Sequence, residues 1–368
     1  MTAVVFMSIS RRSAAAEILS YPVLSYMIDA CKDIGDKIYC DSALAGIDER
    51  TSTFEDFSAL CEEIKGFDRV LAVFAPAPNL SADTVKSFAQ GDAPAFLGRG
   101  KMRAAALVPI KEFTQNIAEN EYPTVSIPDG EWLFAETPET VYAAQEQLRR
   151  RINMKHMKNG VYMVDPNTTH ISPFAEIQEG TTILPNCLIY GKSKIGKDCK
   201  IGPNCMLKNA LIGDNTEVNA SQITDSSLGS NTTVGPFAYI RPNCKVGDNV
   251  RIGDFVELKN SNIGNGTKVS HLTYIGDSDF GEKINVGCGV VTVNYDGKNK
   301  FRTTVGNNSF VGCNVNLVAP VKVGDGAYIA AGSTITEEIP ENCMAIARQR
   351  QSIKEGWAEK RRQDGKLK

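Results

Sequence analysis

From Ile171 to about Ile335 an aliphatic residue returns at every sixth position. The runs are Ile171, Ile177, Ile183, Ile189, Ile195, Ile201 and Leu207, then Val234, Ile240, Val246, Ile252 and Leu258, then Val305, Val311, Leu317, Val323, Ile329 and Ile335. The step shortens to five at 207→212, 218→223→228 and 258→263, and a glycine commonly follows the aliphatic, as at Gly196, Gly202, Gly247 and Gly264. Neither a helical period nor strand alternation produces this pattern. Self-similarity at six residues predicts a parallel β-helix. Each unit supplies one short strand and one tight turn, and three units close a triangular coil of 18 residues with the aliphatics stacked inside. Coils stack ~4.8 Å apart, so residues one coil apart in sequence become neighbours. The small residue beside each aliphatic fits the corner.

Residues 1–136 lack the rhythm. Apolar stretches such as Ala3–Met7 and Val70–Phe74 alternate with helical patterns such as Pro22–Ile34, which predicts a small α/β domain with a mainly parallel sheet. Thr137-Pro138-Glu139 reads as a helix start with Pro at the first helical position. Val141, Ala144, Leu148 and Ile152 form its apolar stripe, and Gly160 is its stop, giving a linker helix over 137–160. Arg149, Arg150 and Arg151 lie on or beside a face read as solvated. The chain is therefore mainly β, with the prism over 161–340 and a tail over 341–368. The tail is basic from Arg348, contains Trp357, and reads as a capping helix.

Composition narrows the function classes. A net charge of −3 argues against nucleic-acid and anionic-membrane partners. No apolar run approaches the ~18 residues a transmembrane span needs, and no secretory leader is evident at the N-terminus. The ten cysteines include no CxxC pair, and Cys187, Cys199, Cys205 and Cys244 follow the repeat grid. They read as buried, reduced thiols of a cytoplasmic protein.

The chemistry lies where the rhythm breaks. At Ile240-Arg241 and Leu258-Lys259 a cation replaces the small corner residue, and the two are 18 apart with no short step between. Stacked on one edge, they repel unless an anion sits over them. A phosphate fits, with Arg as a planar fork and Lys as a point charge. Glu257 stands beside Lys259, either to orient it or to meet an amine on the ligand. His271 lies within a coil of the pair, and an imidazole there suits proton abstraction from an attacking amine or hydroxyl. With only His170 and His271 in the prism, a three-histidine zinc site is disfavoured and no metal is expected. The period fails from about Thr292 to Val305, where Asp296-Gly297 marks a turn, so this segment loops out. Loops on a rigid solenoid commonly carry binding groups.

These residues carry a family resemblance. The stretches Val234–Ala238, Arg241-Pro242, Lys259-Asn260, His271–Asp277, Val293–Gly297, Leu317–Pro320 and Ala345–Arg348 resemble the acetyltransferase half of a bifunctional bacterial family. That family joins an N-acetylglucosamine-1-phosphate uridyltransferase to a glucosamine-1-phosphate N-acetyltransferase. The resemblance begins weakly in the linker helix, at Arg149–Asn153 and Lys155–Met157. It implies a homotrimer of left-handed β-helices with active sites between neighbouring subunits. It also implies acetyl transfer from acetyl-CoA to the 2-amino group of glucosamine 1-phosphate, for UDP-N-acetylglucosamine and cell-wall precursor synthesis. By position, His271 would be the general base, and Arg241, Lys259, Tyr274 and Asn285 would hold the sugar phosphate. Cys288, Asn294, Tyr295, Cys313 and Ala331 would line the coenzyme pocket, and Arg348 would meet the coenzyme's phosphate. Cys288 and Cys313 depart from the family's usual Ala and Ser.

The N-terminal half departs further. Where the family has a glycine-rich phosphate loop, this chain has Ser8-Ile9-Ser10-Arg11-Arg12-Ser13. The Gly-Asp pair that holds Mg²⁺ aligns with Ala75-Pro76, and the uracil-binding motif is missing. This predicts a degenerate nucleotidyltransferase-like domain without pyrophosphorylase chemistry. Two other readings stand beside it: an enzyme that keeps both activities, and a non-catalytic hexapeptide scaffold that binds nucleotide sugars.

Overall fold

The computed structural model of the chain describes residues 1–35 and 37–368. They form two compact units, Met1–Asn209 and Ala210–Lys368.

The first unit opens on a seven-stranded sheet. Its order is Ser52–Phe54, Ile38–Asp41, Thr2–Phe6, Arg69–Val73, Met102–Pro109, Ala95–Arg99, Thr124–Ser126. The first four strands run parallel, among them Thr2–Phe6 and Arg69–Val73, which carry the apolar runs noted in the sequence. The other half is mixed, because Met102–Pro109 is antiparallel to both of its neighbours. The cause is local: Ala95–Arg99 and Met102–Pro109 are joined by a tight turn at Gly100 (φ +61°), and a link that short joins only antiparallel strands. Ala3, Val5, Val70, Ala72, Phe96 and Val108 form the core of one face with Leu60 and Ile64.

The helix expected after Thr137 runs Pro138–Lys158. Thr137 caps it in a reciprocal pair with Thr140, and Gly160 (φ +86°) follows its end. One reading of this helix is corrected. Arg149 is 3% exposed rather than solvated, paired with Glu146 at 2.7 Å and donating to the Pro166 carbonyl. Asn153 donates to the carbonyls of Pro166 and Thr169, both at 2.9 Å. These polar groups fasten the helix to the first turns of the prism, where Ile171 pairs with Ile189 and Ile183 with Ile201.

The second unit carries the rest of the prism as three parallel faces. The first face includes Thr233–Val234, Arg251–Asp254, Lys268–His271, Asn285–Val286, Phe310–Val311 and Tyr328–Ile329. The second includes Tyr239–Ile240, Glu257–Lys259, Tyr274–Gly276, Val291–Val293 and Asn316–Val318. The third includes Lys245–Val246, Asn262–Ile263, Ser278–Phe280 and Thr303–Val305. The six-spaced aliphatics face inward, and Ile240, Leu258, Val311 and Leu317 are fully buried. A glycine beside an aliphatic has a steric cause: a Cβ on Gly264 would lie 2.5 Å from the backbone of Gly281 in the next coil. The five-residue step shortens one coil, so Ile252 meets Val269 and Leu258 meets Ile275. The tail differs from the capping helix expected of it. Trp357–Gln363 is a short helix with no buried residue.

Candidate functional site

Arg241 and Lys259 end neighbouring strands of the second face, where Ile240 pairs with Leu258 and the Arg241 amide donates to the Leu258 carbonyl at 2.9 Å. Both therefore sit at the edge between the second and third faces. The Arg241 guanidinium reaches back along the face to Glu257, with Nη1 2.8 Å from Oε1. Glu257 thus orients Arg241, not Lys259. The neighbour of Lys259 is Lys300, carried in by the loop; the proximity of this second ammonium, with desolvation, lowers the Lys259 pKa. Three cations gathered at one edge favour an anionic ligand.

His271 ends the strand Lys268–His271 on the first face, at the edge shared with the second. Asp254 stands opposite it one coil away, and its carboxylate contacts Nδ1. That contact holds the Asp254 pKa below the ordinary value. Nε2, the other ring nitrogen, has no hydrogen-bond partner among the described residues. The Thr273 hydroxyl donates to the His271 carbonyl at 2.7 Å and steadies the turn. Beside this pair runs a column of exposed apolar corners: Phe237 and Phe255 stack at 5.3 Å, followed by Leu272. All three have positive φ, between +47° and +60°, which side chains of this size rarely adopt.

The coils that follow continue the same edge. The Asn314 amide donates to the Cys288 carbonyl, and the Gly332 amide to the Cys313 carbonyl, each at 2.8 Å. Cys288, Cys313 and Ala331 therefore form one column, with Arg348 beside Gly332 beyond them. Cys313, Ala331 and Arg348 are exposed, and Cys288 is half-buried.

Asn294 and Tyr295 lie on the opposite edge, where the loop leaves the second face. Asn294 is buried, with Nδ2 on Asp277, whose other oxygen accepts from Asn260 at 2.6 Å. Tyr295 and Lys300 bridge the loop, and Arg302 fastens its return to Asp279 at 2.6 Å. Tyr274 folds over Gly276 near Asn294: a Cβ there would lie 2.3 Å from the phenol oxygen and 2.9 Å from Asn294 Nδ2.

One chain thus brings the expected residues together as two groups. His271, Cys288, Cys313, Ala331 and Arg348 share the first–second edge. Arg241, Lys259, Tyr274, Asn294 and Tyr295 share the second face and its far edge, with Glu257. Asn285 faces out from the first face, between Lys268 and Phe310, apart from the other sugar-phosphate candidates. Asp254, Asp277 and Lys300 escaped the sequence reading.

Residues 174–209, 225–260 and 302–337 match the family described as bacterial transferase hexapeptide (six repeats). Over its C-terminal part the chain is then similar to the bifunctional protein GlmU of several bacteria. The Thermoanaerobacter pseudethanolicus protein is 53% identical over 242 residues, covering 66% of this chain and 53% of the relative. The Clostridioides difficile protein is 55% identical over 220 residues, covering 60% and 48%. The chain spans about half the length of these curated relatives. An Arabidopsis UDP-N-acetylglucosamine acyltransferase structure overlaps 54% of this chain and 77% of its own at 16% identity, with a TM-score of 0.27, too loose to argue from.

Proposed function

We propose that this chain transfers the acetyl group of acetyl-CoA to the 2-amino group of glucosamine 1-phosphate. The product, N-acetylglucosamine 1-phosphate, would feed UDP-N-acetylglucosamine and cell-wall precursor synthesis. The observation that carries the reading is that one prism presents an oriented imidazole on its first–second edge and a cluster of cations on its second–third edge, in a segment 53% identical to a bifunctional relative. The amine lone pair attacks the thioester carbonyl, forming C–N as C–S breaks. Nε2 of His271 takes the amine proton and passes it to the departing CoA sulfur. Arg241, Lys259 and Lys300 fix the phosphate, which lowers the entropic cost of bringing amine and thioester together. The column through Cys288, Cys313 and Ala331 offers small side chains along which an extended coenzyme lies, with Arg348 for its phosphate.

The division of these residues between two edges supports a homotrimer, in which one subunit's first–second edge faces another's cationic edge. The exposed Phe237–Phe255–Leu272 column supports it as well, since large apolar side chains on strained corners favour burial against a partner. Loss of the uridyltransferase activity is part of the same proposal. Arg11, in place of a phosphate-binding loop, donates to the carbonyls of Ala43 and Ala45 at 2.8 and 3.0 Å, so its guanidinium is committed to structure.

The test is CoA release with glucosamine 1-phosphate, run beside pyrophosphate release from UTP with Mg²⁺. Acetyl transfer without pyrophosphate release is expected. His271→Ala should lower kcat by roughly 10²–10⁴-fold, while Lys259→Ala should mainly raise KM for the sugar phosphate. Unchanged kcat in His271→Ala removes the base, and no CoA release with any amino sugar returns the scaffold reading.

A further inference from the structure

The first unit contains a cavity of about 690 Å³ that the acetyl-transfer reading does not use. Its size lies within the range of small-molecule sites. Tyr21 and Phe174 form one wall, packed edge to face with ring centroids 4.4 Å apart. The lining also includes an ion-pair network. Arg50 binds Asp48 with both Nε (2.9 Å) and Nη2 (2.7 Å), and reaches Asp29 at 2.5 Å through Nη1. The Asp48 side chain is only 8% exposed and also accepts from Ser25 at 2.7 Å. The network is therefore held rigidly, which is what a recognition surface requires. Lys192 and Glu49 line the same cavity, with no ion-pair partner among the described residues.

We infer that this cavity binds a neutral pyranose, with the ring against Tyr21 and Phe174 and its hydroxyls on Asp29, Glu49 and Lys192. Charge selects this class. Arg50 is already matched by two carboxylates, so a phosphate would meet Asp29 and Glu49 with Lys192 as the one cation of the lining left unpaired among the described residues. A bare metal ion would face Arg50 and Lys192. A ring of hydroxyls has neither problem, since each hydroxyl both donates to a carboxylate and accepts from an ammonium, and its C–H face covers an aromatic wall.

The strained hairpin that supports Tyr21 agrees with a built site. Strands Glu17–Ile18 and Tyr21–Pro22 pair through a two-residue turn in which both Leu19 (φ +48°) and Ser20 (φ +70°) are left-handed. Asn-Gly is the usual choice for such a turn. Retaining strain there fixes the aromatic at the cavity rim.

The experiment is saturation-transfer NMR with calorimetry on the full chain, using glucose and N-acetylglucosamine as probes and inorganic phosphate and uridine as controls. Neutral sugars should bind, and Tyr21→Ala should weaken them at least tenfold while leaving CoA release with glucosamine 1-phosphate unchanged. Glu49→Gln, an exposed substitution that spares the packing, should weaken them severalfold. Lys259→Ala, at the proposed acetyl-transfer site, should leave them unaffected. Failure of both sugars to bind overturns the inference, as does tighter binding of uridine or phosphate. Sensitivity to Lys259→Ala with indifference to Tyr21→Ala and Glu49→Gln overturns it too, by locating the sugar elsewhere.

Discussion

His156 makes the acid stability of the first unit calculable. It lies in the last turn of the linker helix at 7% exposure, and burial, aided by the neighbouring Lys155 charge, lowers its pKa from 6.5 to about 4. The unfolded chain therefore binds a proton more readily than the folded one. This contribution is complete above pH 6.5 and is lost as pH falls through 6.5 toward 4. Between pH 7.5 and 5 the linkage relation gives about 2 kcal/mol. The helix C-terminus favours a cation by up to ~1 kcal/mol, which moderates the loss without reversing it. Urea unfolding of the wild type and His156→Gln, followed by helical circular dichroism across that range, isolates the effect, because carboxylates titrate mostly below it. The wild type should lose about 1–2 kcal/mol that the variant does not. Parallel profiles would show that the imidazole accepts its proton within the folded helix and refute the reasoning.

In the proposed reaction Asp254 acts only through His271, so Asp254→Asn should lower kcat on the order of tenfold with KM little changed. Asp254→Glu should recover part of that loss, and Asp254→Asn should add nothing in a His271→Ala background. Gly276→Ala places a methyl against the Tyr274 phenol, so kcat/KM for the sugar phosphate should fall while the melting temperature barely moves. Asn153→Ala should destabilise the first unit by about 1–3 kcal/mol, by removing the donor to two buried carbonyls; denaturant titration measures it.

What could be read in the sequence was whatever the coil period determines. The stacking of Ile171 on Ile189 and of Ile240 on Leu258 follows from counting, and so does the shared edge of Arg241 and Lys259. Asp254 was within reach of the same arithmetic. The short step 258→263 makes that coil 17 residues, which sets Asp254 opposite His271. Lys300 was not within reach, because the loop abandons the period and its return path depends on Arg302 gripping Asp279. The reach of Arg241 toward Glu257 depends on side-chain rotation, which spacing does not fix. Arg149 misled for another reason: charged residues beside an apolar stripe normally face water, and here the Pro166 carbonyl and the Glu146 carboxylate substitute for it.

The excursion between Asn294 and Arg302 is clamped where it departs and where it rejoins, by Asp277 and Asp279 on a single neighbouring coil. Its interior makes no rung of the ladder that holds the prism together. A longer, shorter or exchanged tongue would thus leave every coil stitched, so under the proposed function new acceptor preferences can arise by editing one short stretch of an otherwise unchanged column.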